Sequence, residues 1–155
     1  MALATTQAVW RSGGGDQTRT AYAGSMLMTA QFYIPAAGTA GNVQVSSTNT
    51  ASVILPAGAI VDSVTINNVS SAGAIDLGYT LNTSGTAVTD GLLNNATATS
   101  IVNIQAGGTG SGTALGTLIS ATELITITNA DGGSGAGDVG GYIKYFIYDN
   151  GQQNV

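Results

Sequence analysis

Apolar residues in this chain fall in short runs of strand period, separated by clusters of glycine, serine, threonine and asparagine. Residues 26–34 predict a first strand, stopped by Pro35, which cannot donate to a ladder. Residues 42–46 alternate and predict a short strand with Val43 and Val45 on one face. The strongest signal runs over residues 51–69, two β-branched runs flanking Pro56, Ala57 and Gly58. Proline presets φ early in a turn and glycine accepts a positive φ just after it, so this reads as strand, turn, strand. In the second run Val61, Ser63 and Thr65 share one face and Ile60, Asp62, Val64 and Ile66 the other, leaving both faces partly apolar.

After a turn over residues 70–73, Ile75, Leu77, Tyr79 and Leu81 alternate with Ala74, Asp76, Gly78 and Thr80, which gives one core face. Asp90 stands where it would cap a short helical turn over residues 91–96. Residues 99–105 predict a strand, 106–112 a flexible glycine loop and 113–120 a weak strand. In the next strand Ile125 and Ile127 share a face, with Leu124 on the other. Asn129 to Gly141 reads as a hairpin loop rich in glycine, and the aromatic run 142–148 as a strand that is central or at an interface. There Tyr142, Lys144, Phe146 and Tyr148 share one face, and Ile143, Tyr145 and Ile147 the other.

The total is about eight or nine short strands with regularly spaced turn signals, the profile of an all-β fold: an antiparallel β-sandwich or a jelly-roll-like barrel. No repeat of fixed period is visible, which disfavours a solenoid or propeller. Residues 1–25 differ in holding Arg11, Arg19, the single tryptophan and the run Gly13, Gly14, Gly15. They read as an extended N-terminal arm ahead of a sandwich domain at 26–155.

Charge changes the picture most. Charged residues make up 7% of the chain, three basic against eight acidic, where an ordinary globular chain carries about 25%. Three basic groups and a net charge of −5 cannot neutralise a phosphate backbone, so no nucleic-acid partner is expected. No apolar run is long enough for a membrane span and the N-terminus lacks the pattern of a secretory signal, so neither membrane nor export is expected.

Cysteine and histidine are both absent, which removes disulfides, thiolate chemistry, imidazole bases and ordinary zinc sites. Lys144 has no accompanying Ser-Lys motif, and the carboxylates are scattered singly, mostly where Asp serves turns. The glycine run 13–15 lacks the remaining residues of a phosphate loop. The segment from Asn129 through Asp131 to Asp138 offers oxygen ligands for calcium but fits neither the EF-hand nor the nonapeptide spacing, and a hairpin loop is the preferred reading. The expectation is therefore no catalytic residue, no cofactor and no metal.

Spread over roughly 7,000 Å² of surface for a chain of this mass, so few charges suit a protein that lies against neighbours without burying unpaired ions. The run Val53 to Ile66, the segment Ile75 to Tyr79, the segment Asp90 to Leu93 and the closing Gly140 to Tyr148 resemble small virion proteins of tailed bacteriophages. The family is that of the capsid decoration (cement) proteins and related head proteins, in which a Leu-Pro-Ala-Gly-Ala turn enters a Val-rich strand and a Gly-Tyr-rich strand closes the chain. The resemblance, over residues 52–149, implies a virion protein on the capsid exterior, made in the host cytoplasm, that binds neighbouring major capsid subunits, commonly as a homotrimer.

The arm has no counterpart in that resemblance. Its composition alone nominates Trp10, Arg11, Arg19 and Tyr22 as capsid contacts, because Trp, Tyr and Arg dominate interface hot spots. That Trp10 and Tyr22 pack on their own domain stays open beside this. Two other classes are carried as alternatives: a receptor- or carbohydrate-binding module of a head or tail fibre, using the Tyr-rich strand and the Asn129 to Gly141 loop, and a hydrolase using the scattered carboxylates.

Overall fold

The computed structural model describes residues 27–34, 41–46, 49–69, 74–97, 101–131 and 139–147. These form eleven strands: β1 (Met28–Ile34), β2 (Gly41–Asn42), β3 (Gln44–Ser46), β4 (Asn49–Ser52), β5 (Ile54–Leu55), β6 (Ala59–Val69), β7 (Ala74–Leu81), β8 (Ala87–Thr97), β9 (Val102–Gln105), β10 (Ile125–Asp131) and β11 (Val139–Ile147). They make two antiparallel sheets, one of six strands in the order β4-β3-β1-β11-β6-β9, the other ordered β2-β10-β7-β8 with β5 also on β10. The all-β sandwich expected from the sequence is the observed fold.

The core between the sheets is almost wholly aliphatic. From the six-stranded sheet come Phe32, Ile34, Val61, Val64, Ile66, Ile104 and Ile143, and from the other Ile75, Leu77, Leu92, Leu93, Ile125 and Ile127, all buried. The alternation over β7 and the Ile125, Ile127 pair point inward as expected, while Leu124 is exposed. The aromatic strand β11 is central, between β1 and β6.

One side of the sandwich is closed by two chain segments that change sheets. Val43 separates β2 from β3, and Val53 separates β4 from β5. The Val43 N–H donates to the Ile127 carbonyl at 3.1 Å, the Val53 N–H to the Val43 carbonyl at 3.1 Å, and the Ile127 N–H to the Val53 carbonyl at 2.9 Å. This ring of backbone bonds lets both crossings be buried without orphaned amides. Residues 42–46 are thus a corner and not one strand, and Val45 is exposed although Val43 is in the core.

The turn at 56–58 behaves as its residues dictate: Gly58 has φ of 82°, and the Ala59 N–H bonds the Pro56 carbonyl at 3.3 Å. It does not make a hairpin, because β5 pairs with β10 in one sheet and β6 with β11 in the other. Likewise β10 and β11 lie in different sheets and do not pair with each other as a hairpin; residues 132–138, which join them, lie outside the described residues.

The other side is sealed by residues 110–120, and here two expectations fail. The amides of Gly112 and Ala114 donate to the carbonyls of Leu92 and Gly91 at 2.9 and 2.8 Å, and the Asn94 N–H to Gly110 at 2.9 Å. The glycine-rich segment therefore covers the free edge of β8 and is no loose loop. Beyond it, Gly116 donates to Val61 at 2.8 Å, Leu118 bridges Ile60, and Ala114 and Leu115 enter the core. Residues 113–120 form no strand; they straddle the gap between the sheets.

The helical turn expected after Asp90 is also absent: residues 91–96 lie inside β8. The pairing slips between Leu77 and Leu93 on one side and Ile75 and Ala96 on the other, a bulge that leaves Leu92, Leu93 and Ala96 all buried. Asn95 takes φ of 50° there, a conformation Asn tolerates better than most residues.

Candidate interaction face

The faces of β6 are set by a second bulge. Lys144 pairs with Ser63 and Tyr145 with Val61, so Asp62 is the extra residue. The phase changes there: Ala59 and Val61 point inward, then Val64 and Ile66. Ile60 is consequently on the outer side with Ser63 and Thr65, not on the face of Val64 and Ile66 as simple alternation implies. With 61 and 64 both inward, Asp62 and Ser63 both stand outward, Asp62 exposed and Ser63 buried between its neighbours.

Register then builds the outer face row by row. Phe146 of β11 is opposite Ile60 of β6, and Ile60 is bridged on its far side by Leu118. Continuing the β1 register one residue beyond Met28 and Tyr145 sets Leu27 opposite Phe146. Leu27 is 53% and Leu118 39% exposed, with Phe146 and Ile60 partly exposed between them. Four apolar side chains thus lie in line across the outer face of the six-stranded sheet.

The next row is Thr29, Lys144 and Ser63 with Gln105, the bulged Asp62 beside it. The third is Gln31, Tyr142, Thr65 and Asn103, where the Thr65 hydroxyl donates to Asn103 Oδ1 at 2.9 Å. The Lys144 ammonium sits 5.7 Å from the Tyr142 ring centroid, within cation–π range. Lys144 is the single basic residue among those described, and no ion pair joins it or Asp62 to another described residue.

Elsewhere Asp76 and Glu123 hold backbone amides and Asp90 holds a side-chain amide. Asp76 Oδ1 accepts the Asn95 N–H at the β8 bulge. Asp90 Oδ2 accepts from Asn94 Nδ2 at 3.0 Å. Glu123 Oε2 accepts both the Thr83 and Ser84 amides, at 2.9 and 2.8 Å, clamping the turn between β7 and β8. Among the described residues no three His, Cys, Asp or Glu side chains gather to hold a metal. Burial pushes the Tyr79 hydroxyl above its ordinary pKa of 10.0.

The arm residues Trp10, Arg11, Arg19 and Tyr22 lie outside the described residues, as does Asp138 of the glycine loop. What sequence reasoning missed is the apolar row. The shared face of Tyr142, Lys144 and Phe146 was legible, but Ile60 and Leu118 join it only through a bulge and a bridge between distant segments.

No family model matches the chain, and no curated protein matches it. Among solved structures it is similar to a chain of the cyanophage Pam1 capsid asymmetric unit, at 20% identity and a TM-score of 0.36, over 82% of this chain and 88% of that one.

Proposed function

We propose that this chain is a structural protein of a phage capsid, one that binds the outside of the shell, bridges neighbouring major capsid subunits and performs no catalysis. The observation that carries the structural role is a closed aliphatic sandwich whose carboxylates Asp76, Asp90 and Glu123 make hydrogen bonds at bulges and turns, while its outer face offers an apolar row beside polar rows in which Lys144 and Asp62 are the charged members among the described residues. The capsid itself comes from the resemblance of the runs at 53–66, 75–79, 90–93 and 140–148 to decoration proteins. Such a protein acts by mass action, binding one state of the shell and shifting the equilibrium by its differential affinity.

The arm supplies reach in this proposal, with Trp10, Arg11, Arg19 and Tyr22 as contacts on the major capsid protein. Deleting residues 1–25 should abolish binding to expanded capsids while the sandwich keeps its circular dichroism spectrum. Unchanged binding would remove the arm from the mechanism.

A further inference from the structure

We propose that the outer face of the six-stranded sheet pairs with the same face of a second copy of this chain, about a two-fold axis parallel to the strands and midway between β6 and β11. The inference goes beyond the capsid role and uses only the geometry of this face.

An isologous contact requires a surface that complements itself, with each residue meeting its symmetry counterpart's partner. The row Leu27, Phe146, Ile60, Leu118 has this property, because the proposed axis passes between its two middle members. Rotation by half a turn seats Phe146 on the other copy's Ile60 and Leu27 on its Leu118. The same rotation carries the adjacent row onto itself, and Lys144 then faces Asp62 of the second copy. That operation satisfies both the apolar row and the one cation and one anion of this part of the face. Within one copy those two charges are unpaired among the described residues, although Lys144 and Ser63 are register partners and Asp62 follows next in the bulge.

Stacked sheets align with their strands within about 30° of one another, so a strand-parallel axis is a geometry that sheets adopt. The row spans four chain segments, roughly 14 Å at ordinary strand spacing. That is a small contact, so the association is weak and concentration-dependent. A pair formed in this way replaces the trimer implied by the resemblance.

The experiment is sedimentation equilibrium of the purified full chain over a concentration series, comparing wild type, Lys144→Asp, Asp62→Lys and the double reversal. Wild type should pass from monomer to dimer. Each single reversal sets like charges against each other at both symmetry-related contacts and should weaken the dimer by roughly tenfold. The double reversal should restore it. Leu118→Gln, at an exposed position, should weaken it without touching either charge. The proposal is overturned by a wild type that is monomeric throughout or trimeric, by single reversals that pair as wild type does, or by a folded double reversal that stays monomeric. No capsid enters this measurement, so its failure and the failure of the capsid role are separate results.

Discussion

Phe32 of β1 lies across Gly141 of β11, its register partner, so closely that a Cβ on Gly141 would stand 2.8 Å from the Phe32 Cζ and collide with the Thr65 carbonyl on β6. The Phe32 ring, the one aromatic side chain among the described residues that is fully in the core, therefore occupies space that a side chain at 141 would take. Gly141→Ala should cost about 1–3 kcal/mol, the range for overpacking a well-filled core, measured by urea denaturation. Adding Phe32→Leu should recover only part of it, because the Thr65 backbone remains in the way.

The β8 bulge depends on Asp76. Its carboxylate takes the amide of Asn95, whose left-handed backbone removes that amide from the β7 ladder. Asp76→Ala should cost about 1 kcal/mol, since the site is solvent-exposed and water replaces part of the bond. Asn95→Gly should be tolerated, whereas Asn95→Val should lose stability comparable to or greater than Asp76→Ala, because a β-branched residue resists positive φ.

Segment 110–114 should behave as a strand in hydrogen exchange despite its glycines. The amides of Gly112 and Ala114 are bonded to β8 carbonyls, so both should exchange only through local or global opening. Exchange at random-coil rates at these two positions would show that the edge of β8 is bare.

Stability should fall in alkali because of Tyr79. Its folded pKa is raised by burial above the unfolded value of 10.0, so the folded state holds this proton more tightly. The contribution is fully present below pH 10.0 and is lost as pH rises through the folded value. Tyr79→Phe should show a shallower fall than wild type as pH rises above 10.0 in thermal melts; parallel curves would refute the assignment.

Strands that alternate without interruption were readable from the chain: β7, with Ile75, Leu77, Tyr79 and Leu81 inward, and the Ile125, Ile127 pair of β10. Bulges defeated the reading elsewhere. In β8 the buried set is Leu92, Leu93 and Ala96, a spacing of one and then three residues that matches a helical face, so Asp90 looked like a cap. In β6 the extra residue Asp62 moved Ile60 to the outer side. Val43 and Val53 gave no signal of a change of sheet, because a corner that bonds to Ile127 is a long-range fact. The apolar row escaped for the same reason: Leu118 meets Ile60 across 58 positions of chain.

The most direct test of the structural role is cosedimentation of the purified chain with expanded shells assembled from a phage major capsid protein, followed by heating of the loaded and bare shells. The account predicts saturable binding to the shell exterior and a higher disruption temperature for loaded shells. A chain that stays in the supernatant at every concentration, or binds without raising that temperature, would contradict it.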